Sequence, residues 1–91
     1  MDARWAPRAA DDLERIAGYI QQDDPDAAYR VAQTIYERAE GLQTLPTRGR
    51  PGRVEGTREL VLPPLPFIIV YRVLAETVEI VRIIHGAQRW P

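Results

Sequence analysis

Residues 58–85 read RELVLPPLPFIIVYRVLAETVEIVRIIH, and this stretch decides the fold. It holds three short runs rich in β-branched and aromatic residues, separated by PPLP at residues 63–66 and LAET at residues 74–77. Runs of this length and composition are typical of strands, and breaks this short are typical of hairpins. Pro63 and Pro64 cannot donate to a ladder, so they belong in the first turn. The stretch therefore predicts an antiparallel meander of three strands.

The two turns predict which residues face one another across the meander. The second turn places Arg72 opposite Glu79, and the opposite charges of this pair support the register. The first turn places Glu59 opposite Val70.

Because side chains alternate along a strand, this register sorts the sheet into two faces. One face needs a cover and carries Leu60, Leu62, Phe67, Ile69, Tyr71, Val73, Val78, Ile80 and Ile84, with Arg58 and Arg82 at its margin. The second face is also largely aliphatic and carries Glu59, Val61, Ile68, Val70, Arg72, Glu79, Val81, Ile83 and His85. We look for function on this second face.

We expect the residues before the meander to form the elements that cover the first face of the sheet. Alternation of Ala3 and Trp5 predicts a short edge strand over residues 2–5. Pro7 fits the first turn of a helix that runs to about Gln22. We expect its positive amino end to be stabilised by three acidic residues, Asp11, Asp12 and Glu14.

A second helix follows at once. Asp24 predicts its cap and Pro25 its first residue, and Gly41 and Pro46 bring it to an end. The order β-α-α-β-β-β predicts a single α+β domain over residues 1–91. In this fold a short amino-terminal strand precedes a two-helix hairpin that packs on one face of an antiparallel sheet.

Composition excludes several classes of site. The chain has 91 residues, no cysteine and a net charge of −1, and all twelve basic residues are arginine. It therefore has no disulfides, thiolate metal sites or cysteine catalysis, and we expect no metal and no cofactor. The near-zero net charge argues against direct nucleic-acid binding by the chain alone. The amino terminus resembles neither a signal peptide nor a membrane anchor, so we expect a cytoplasmic protein without membrane contact.

Two surface features allow both a structural and a functional interpretation. The segment PTRGRPGRVEGT at residues 46–57 is either a solvated connector or a basic contact surface made by Arg48, Arg50 and Arg53. Tyr29 and Tyr36 lie seven residues apart on the second helix. They either pack at a helix edge or form a docking ridge for a partner.

The order of elements resembles the ParE/RelE superfamily, the toxins of bacterial type II toxin–antitoxin systems. The resemblance rests on DLERIAGYI at residues 12–20, LPTRGRPGRVEGTREL at 45–60, IIVYRV at 68–73 and VEIVRIIHGAQRW at 78–90. It implies one of two activities. RelE-like members cleave messenger RNA in the ribosomal A site, whereas ParE-like members poison DNA gyrase by binding it.

Residues expected for RNA cleavage are largely missing. RelE-like members carry basic side chains at three positions of the second face, which fall here on Glu59, Val61 and Ile68. If the chain is an endonuclease, its catalytic candidates are His85, Arg72 and Arg89. However, Arg72 is explained by its pairing with Glu79, and His85 without cationic neighbours fits capping or partner contact better than catalysis.

The sequence therefore favours a ParE-like, non-enzymatic gyrase inhibitor, with growth inhibition and plasmid stabilisation as its biological role. The resemblance implies a cognate antitoxin whose disordered carboxy-terminal segment folds over the toxin. An exposed aliphatic face marks such a partner, so we expect antitoxin contacts at Tyr29, Tyr36, Val61, Ile68, Val70, Val81 and Ile83. The resemblance implies target contacts at Arg89 and Trp90, followed by Arg48, Arg50 and Arg53. A member that has lost toxicity and only binds its partner is a further alternative.

Overall fold

The computed structural model describes residues 1–91. In chain order its elements are β1 (Asp2–Trp5), α1 (Pro7–Gln21), α2 (Pro25–Gly41), β2 (Arg50–Pro51), β3 (Arg58–Val61), β4 (Phe67–Val73) and β5 (Thr77–His85). The strands form one sheet in the order β1-β5-β4-β3-β2. The predicted α+β fold is confirmed, and β2 is an additional short strand inside the predicted loop.

The sheet is mixed, whereas the sequence predicted antiparallel pairing only. β1 runs parallel to β5, from the pair Asp2 and Thr77 to the pair Trp5 and Ile80. The other neighbouring strands are antiparallel. Only a hairpin turn forces antiparallel pairing, and β1 is followed by two helices instead of a hairpin.

The predicted register is confirmed at both turns and interrupted in the middle of β5. Arg72 faces Glu79, and Glu59 faces Val70. Between these pairs the register shifts, because Tyr71 faces Ile80 while Val70 faces Arg82. Val81 is thus an extra residue on β5, and a one-residue bulge moves all later side chains to the opposite face.

The bulge corrects the predicted face of the last residues of β5. Ile83, predicted on the second face, is 2% exposed and belongs to the core under the helices. Ile84, predicted under the helices, packs instead with Ile68 and Val70 on the other face. His85 faces Phe67 and so turns toward the helix side.

The main core lies between the helices and the sheet. Its buried members are Ala9, Ile35, Ala39, Leu42, Leu60, Leu62, Ile69, Tyr71, Val78, Ile80 and Ile83. Ala9 and Ala39 are completely buried, and their small side chains let the helices approach closely. The predicted cap of α2 is confirmed, since the Asp24 side chain accepts a hydrogen bond from the Ala27 N–H at 3.1 Å.

Asp12 has a different role from the predicted one. The acidic residues of α1 lie beyond its first turn, so they do not act at the amino end of the helix. Asp12 is 5% exposed and faces the sheet. Its Oδ2 accepts hydrogen bonds from Arg82 Nε at 2.7 Å and from the Ile83 N–H at 2.9 Å, and its Oδ1 accepts from Arg82 Nη2 at 3.2 Å.

We expect Asp12→Ala to lower the free energy of unfolding by roughly 3–5 kcal/mol, because it leaves the Arg82 guanidinium and the Ile83 N–H without their partner. Urea denaturation followed by circular dichroism measures the change. Asp11→Ala is the matched control. Its carboxylate is largely exposed, so we expect a change within about 0.5 kcal/mol. Equal effects of the two substitutions would contradict this role of Asp12.

Candidate functional site

The second face of the sheet carries a small apolar cluster that the chain itself covers. Ile68, Val70 and Ile84 are buried, and half-buried Val81 and Trp90 pack against them. We call these five residues the outer cluster. The predicted open aliphatic face is therefore wrong at Ile68 and Val70. Their predicted contact with an antitoxin stays a prediction.

The other predicted partner residues differ in their exposure. Val61 is 44% exposed and Tyr29 69% exposed. Tyr36 stacks on Trp5, with ring centroids 6.2 Å apart and planes 12° from parallel, and is still half exposed. Ile83, in contrast, lies in the main core and cannot reach a partner without unfolding.

The carboxy-terminal tail is tied to β5 at several points. The His85 Nδ1 accepts a hydrogen bond from the Ala87 N–H at 3.1 Å, an arrangement that fits capping, one of the two roles predicted for His85 in preference to catalysis. The Gln88 side chain accepts a hydrogen bond from the His85 N–H at 3.3 Å. The Arg82 guanidinium carbon lies 5.6 Å from the centre of the Trp90 ring, within cation–π range. Trp90 is thus partly packed, whereas Arg89 is exposed.

The Tyr71 side chain orders the arginine-rich loop, residues 46–57, through hydrogen bonds to its backbone. The Tyr71 hydroxyl donates to the Pro46 carbonyl at 2.8 Å and accepts from the Gly49 N–H at 2.8 Å. A Cβ added at Gly49 would lie only 2.7 Å from the Tyr71 ring. Arg58 adds a third tie, because its Nη1 donates to the Gly49 carbonyl at 2.7 Å. The loop therefore presents its side chains from a fixed backbone.

Glu59 holds the distal half of this loop. Its side chain is 2% exposed and accepts hydrogen bonds from Arg50 Nη2 at 3.0 Å and from the Arg53 N–H at 3.1 Å. Burial alone would raise the pKa of the Glu59 carboxyl. The hydrogen bonds from Arg53 and Arg50, together with their positive charges, outweigh burial and lower this pKa below its ordinary value of 4.5. The Arg48 and Arg53 side chains remain exposed.

Arg72, one of the three residues predicted for RNA cleavage, lies far from His85. His85 pairs with Phe67 at one end of β4, and Arg72 pairs with Glu79 at the other end. The two positions are five residues apart along β4, or about 17 Å along the sheet. The predicted ion pair is confirmed, since Arg72 Nε donates to the Glu79 carboxylate at 3.0 Å.

His85 does have cationic neighbours, which corrects the prediction that it has none. Together with Gln88 it lines a cleft of about 230 Å³ that also receives Arg8, Arg15 and Arg82. The bulge at Val81 turns His85 toward α1, and a regular register would not place it there. The seven-residue spacing of Arg8 and Arg15 on one helix face was a signal that both would reach the same place.

Most of the positive charge in this cleft is already compensated. Arg82 is bound by the buried carboxylate of Asp12. Arg15 lies 3.3 Å from the Asp11 carboxylate and 3.5 Å from that of Asp12. The His85 Nδ1 lone pair is engaged by Ala87, and the ring stands edge-on to Phe67 at 5.8 Å. With Arg15 and Arg82 paired, the cleft offers little free positive charge to a reacting phosphate.

Nowhere do three or more histidine, aspartate or glutamate side chains gather closely enough to hold a metal ion. Neither helix combines the length and the apolar character that crossing a bilayer requires.

Comparisons with known proteins agree with the fold. Residues 3–90 match the family described as ParE toxin of type II toxin–antitoxin system, parDE. The chain is 48% identical over 88 residues to the protein Y4kP of Sinorhizobium fredii, covering 97% of this chain and 91% of that protein. It is 43% identical over 84 residues to Toxin RelE2 of Caulobacter vibrioides, covering 92% and 93%. A chain of the chromosomal ParDE TA system from P. aeruginosa superimposes with a TM-score of 0.87 at 33% identity, covering 93% of this chain and 95% of that chain.

The lowered pKa of Glu59 predicts how stability depends on pH. A carboxylate whose pKa is lower in the folded state stabilises the fold above about pH 4.5, and this contribution is lost as pH falls through the folded-state pKa. We expect Glu59→Gln to reduce the free energy of unfolding by about 1–2 kcal/mol at pH 7. The difference from wild type should shrink in acid. Glu55→Gln, in an exposed part of the same loop, is the control, and a pH-independent difference for Glu59→Gln would contradict the assignment.

Proposed function

We propose, because this chain belongs to the ParE toxin family of type II toxin–antitoxin systems, that it acts by binding and inhibiting DNA gyrase. The observation that carries this proposal is that the second face has no cation at the three positions where RelE-like members carry basic side chains, since Glu59 is engaged by the loop and Ile68 is buried. Binding a protein target requires exposed, well-placed side chains and no convergent acid and base.

The second face supports binding over cleavage. Of the three positions where RelE-like members carry basic side chains, Glu59 is engaged by the loop and Ile68 is buried in the outer cluster. Val61 is exposed but uncharged. Cleavage through a phosphorane-like transition state needs cations at the reacting phosphate, and these three positions supply none.

We propose that the target is contacted by exposed arginines on two ordered segments, the carboxy-terminal tail and the arginine-rich loop. Arg89 is exposed on a tail that His85, Gln88 and Trp90 hold in place. Arg48 and Arg53 are exposed on the loop ordered by Tyr71 and Glu59. A family member of this kind has a cognate antitoxin, and we propose that it neutralises the chain by binding it in the cytoplasm.

Purified gyrase tests the proposal directly. We expect the wild-type chain to inhibit supercoiling of relaxed plasmid, and Arg89→Ala to raise the half-inhibitory concentration at least fivefold, because a desolvated arginine contact contributes about 1 kcal/mol or more. Arg4→Ala is the matched control, since Arg4 is an exposed arginine on β1. Full supercoiling at a large excess of wild-type chain would reject the proposal.

Truncation after Gly86 is a second, coarser test. It should abolish inhibition, but it also removes Trp90 and uncovers the outer cluster. The Arg89→Ala variant keeps Trp90. It therefore separates loss of target contact from loss of the Trp90 side chain that packs on the outer cluster. Unchanged inhibition by both variants would exclude the tail from target binding.

Ribosome-dependent cleavage of messenger RNA is a second candidate, favoured by the arginine-lined cleft beside His85. If this activity exists, primer extension on translated messages after induction detects new breaks at codon boundaries. Because an imidazole is the commonest general base among protein side chains and His85 supplies the only one in the cleft, His85→Ala should remove these breaks. Arg72→Ala should not, since Arg72 lies at the far end of β4. The absence of breaks with the wild-type chain would eliminate this candidate.

A further inference from the structure

Trp90 is the last side chain that attaches the carboxy-terminal tail, residues 86–91, to the sheet. The hydrogen bonds of the tail end at Gln88, whose N–H donates to the His85 carbonyl at 2.9 Å. Two residues later the half-buried Trp90 ring packs on the buried side chains of the outer cluster. Arg89 lies between these two points of attachment, with its own side chain exposed. The position of Arg89 therefore depends on where the Trp90 ring is held.

Hydrogen bonding does not fix this ring. The Trp90 Nε1–H is buried, and no protein atom accepts a hydrogen bond from it. A buried indole N–H usually has an acceptor that sets the orientation of the ring. Apolar packing and one neighbouring cation are what orient the Trp90 ring instead.

Arg82 provides that cation. Its guanidinium carbon lies 5.6 Å from the centre of the Trp90 ring, and its side chain is only 13% exposed. Cation–π attraction is stronger for a pair that is shielded from water than for an exposed one. A guanidinium is also planar and stacks on an aromatic face, which a lysine ammonium does not. The contact therefore depends on arginine at this position and not only on positive charge.

Asp12 fixes Arg82 in turn. The Arg82 Nε and Nη2 donate to the two oxygens of the Asp12 carboxylate at 2.7 and 3.2 Å. These two donors lie on one edge of the guanidinium, so its flat face remains available to Trp90. Beyond Ile80 no strand covers this side of β5, and the Arg82 side chain can reach Asp12 on the helix side while it contacts Trp90.

We propose that Arg82 is a positioning residue for target binding: its guanidinium, held by Asp12, fixes the Trp90 ring and so presents Arg89 to the target. The inference rests on the proposed function, in which Arg89 contacts gyrase. Arg82 is largely buried, so it acts through Trp90 and does not touch the target itself. The competing explanation is that Arg82 serves only to neutralise the Asp12 carboxylate and support the fold.

Hydrogen exchange of the indole N–H groups tests the position of the ring without any target. The chain has two tryptophans, and Trp5, which contacts Glu40 on α2, is the internal reference. Arg82→Lys keeps a positive charge beside Asp12 but removes the flat guanidinium. We expect it to accelerate exchange at Trp90 about fivefold or more, while Trp5 keeps its wild-type rate, measured by nitrogen-edited NMR.

Inhibition of gyrase supercoiling tests the consequence for target binding. Arg82→Lys should raise the half-inhibitory concentration about threefold or more. Trp90→Leu, which keeps an apolar side chain on the outer cluster, should have a similar effect. The double variant should be no weaker than the weaker single variant, because both substitutions break the same contact.

Arg72→Lys is the matched control for both measurements. Arg72 also pairs with a carboxylate on the sheet, that of Glu79, but it makes no cation–π contact. It should therefore keep the wild-type exchange rates and the wild-type inhibition.

The possible outcomes separate this inference from the proposed function. Wild-type exchange at Trp90 and wild-type inhibition by Arg82→Lys would overturn the inference and leave the proposed function intact. Equal acceleration at Trp5 and Trp90 would show that Arg82 only supports the fold, and fully additive effects of Arg82→Lys and Trp90→Leu would show that it does not act through Trp90. Each of these results also overturns the inference. If the wild-type chain does not inhibit gyrase, the proposed function is rejected, and the role of Arg82 in target binding is rejected with it.

Discussion

The buried carboxylate of Asp12 is the interaction on which the arrangement of this molecule depends. β1 pairs with β5 only as far as Ile80, so the next stretch of β5 has a strand on its β4 side and none on the other. Asp12 provides the missing acceptor for the Ile83 N–H and at the same time binds the Arg82 guanidinium. An unpaired N–H and an unpaired guanidinium would both be costly at this depth. One side chain of α1 thus closes the sheet edge and fixes the helix hairpin against it.

This interaction also connects the two sides of the sheet. Arg82 contacts Asp12 on the helix side, and its guanidinium lies over the ring of Trp90, which packs on the outer cluster. The bulge at Val81 makes this possible because it turns Ile83 into the main core while Ile84 joins the outer cluster. Helix packing, strand register and the position of the tail are therefore aspects of one local arrangement.

The sequence predicted those features that depend on local patterns. Two short turns determined the pairing of Arg72 with Glu79 and of Glu59 with Val70. The Asp24 cap followed from the preference for aspartate at the residue that precedes a helix. The bulge left only one local sign, the charged Arg82 that a regular register places on the face under the helices. Without the bulge, neither the core position of Ile83 nor the arginine neighbours of His85 could be derived. The role of Asp12 could not be predicted either, because a carboxylate in the second turn of a helix is normally exposed to solvent.

The way Tyr71 supports the arginine-rich loop affects how this protein can diversify. Its hydroxyl contacts only main-chain atoms of Pro46 and Gly49, and the close approach of its ring leaves no space for a side chain at position 49. The neighbouring side chains at positions 47, 48 and 50 take no part in that anchor. Evolution can therefore change the chemistry displayed by the loop while glycine and tyrosine together preserve its shape. A lineage of such chains can acquire new recognition preferences on an unaltered scaffold.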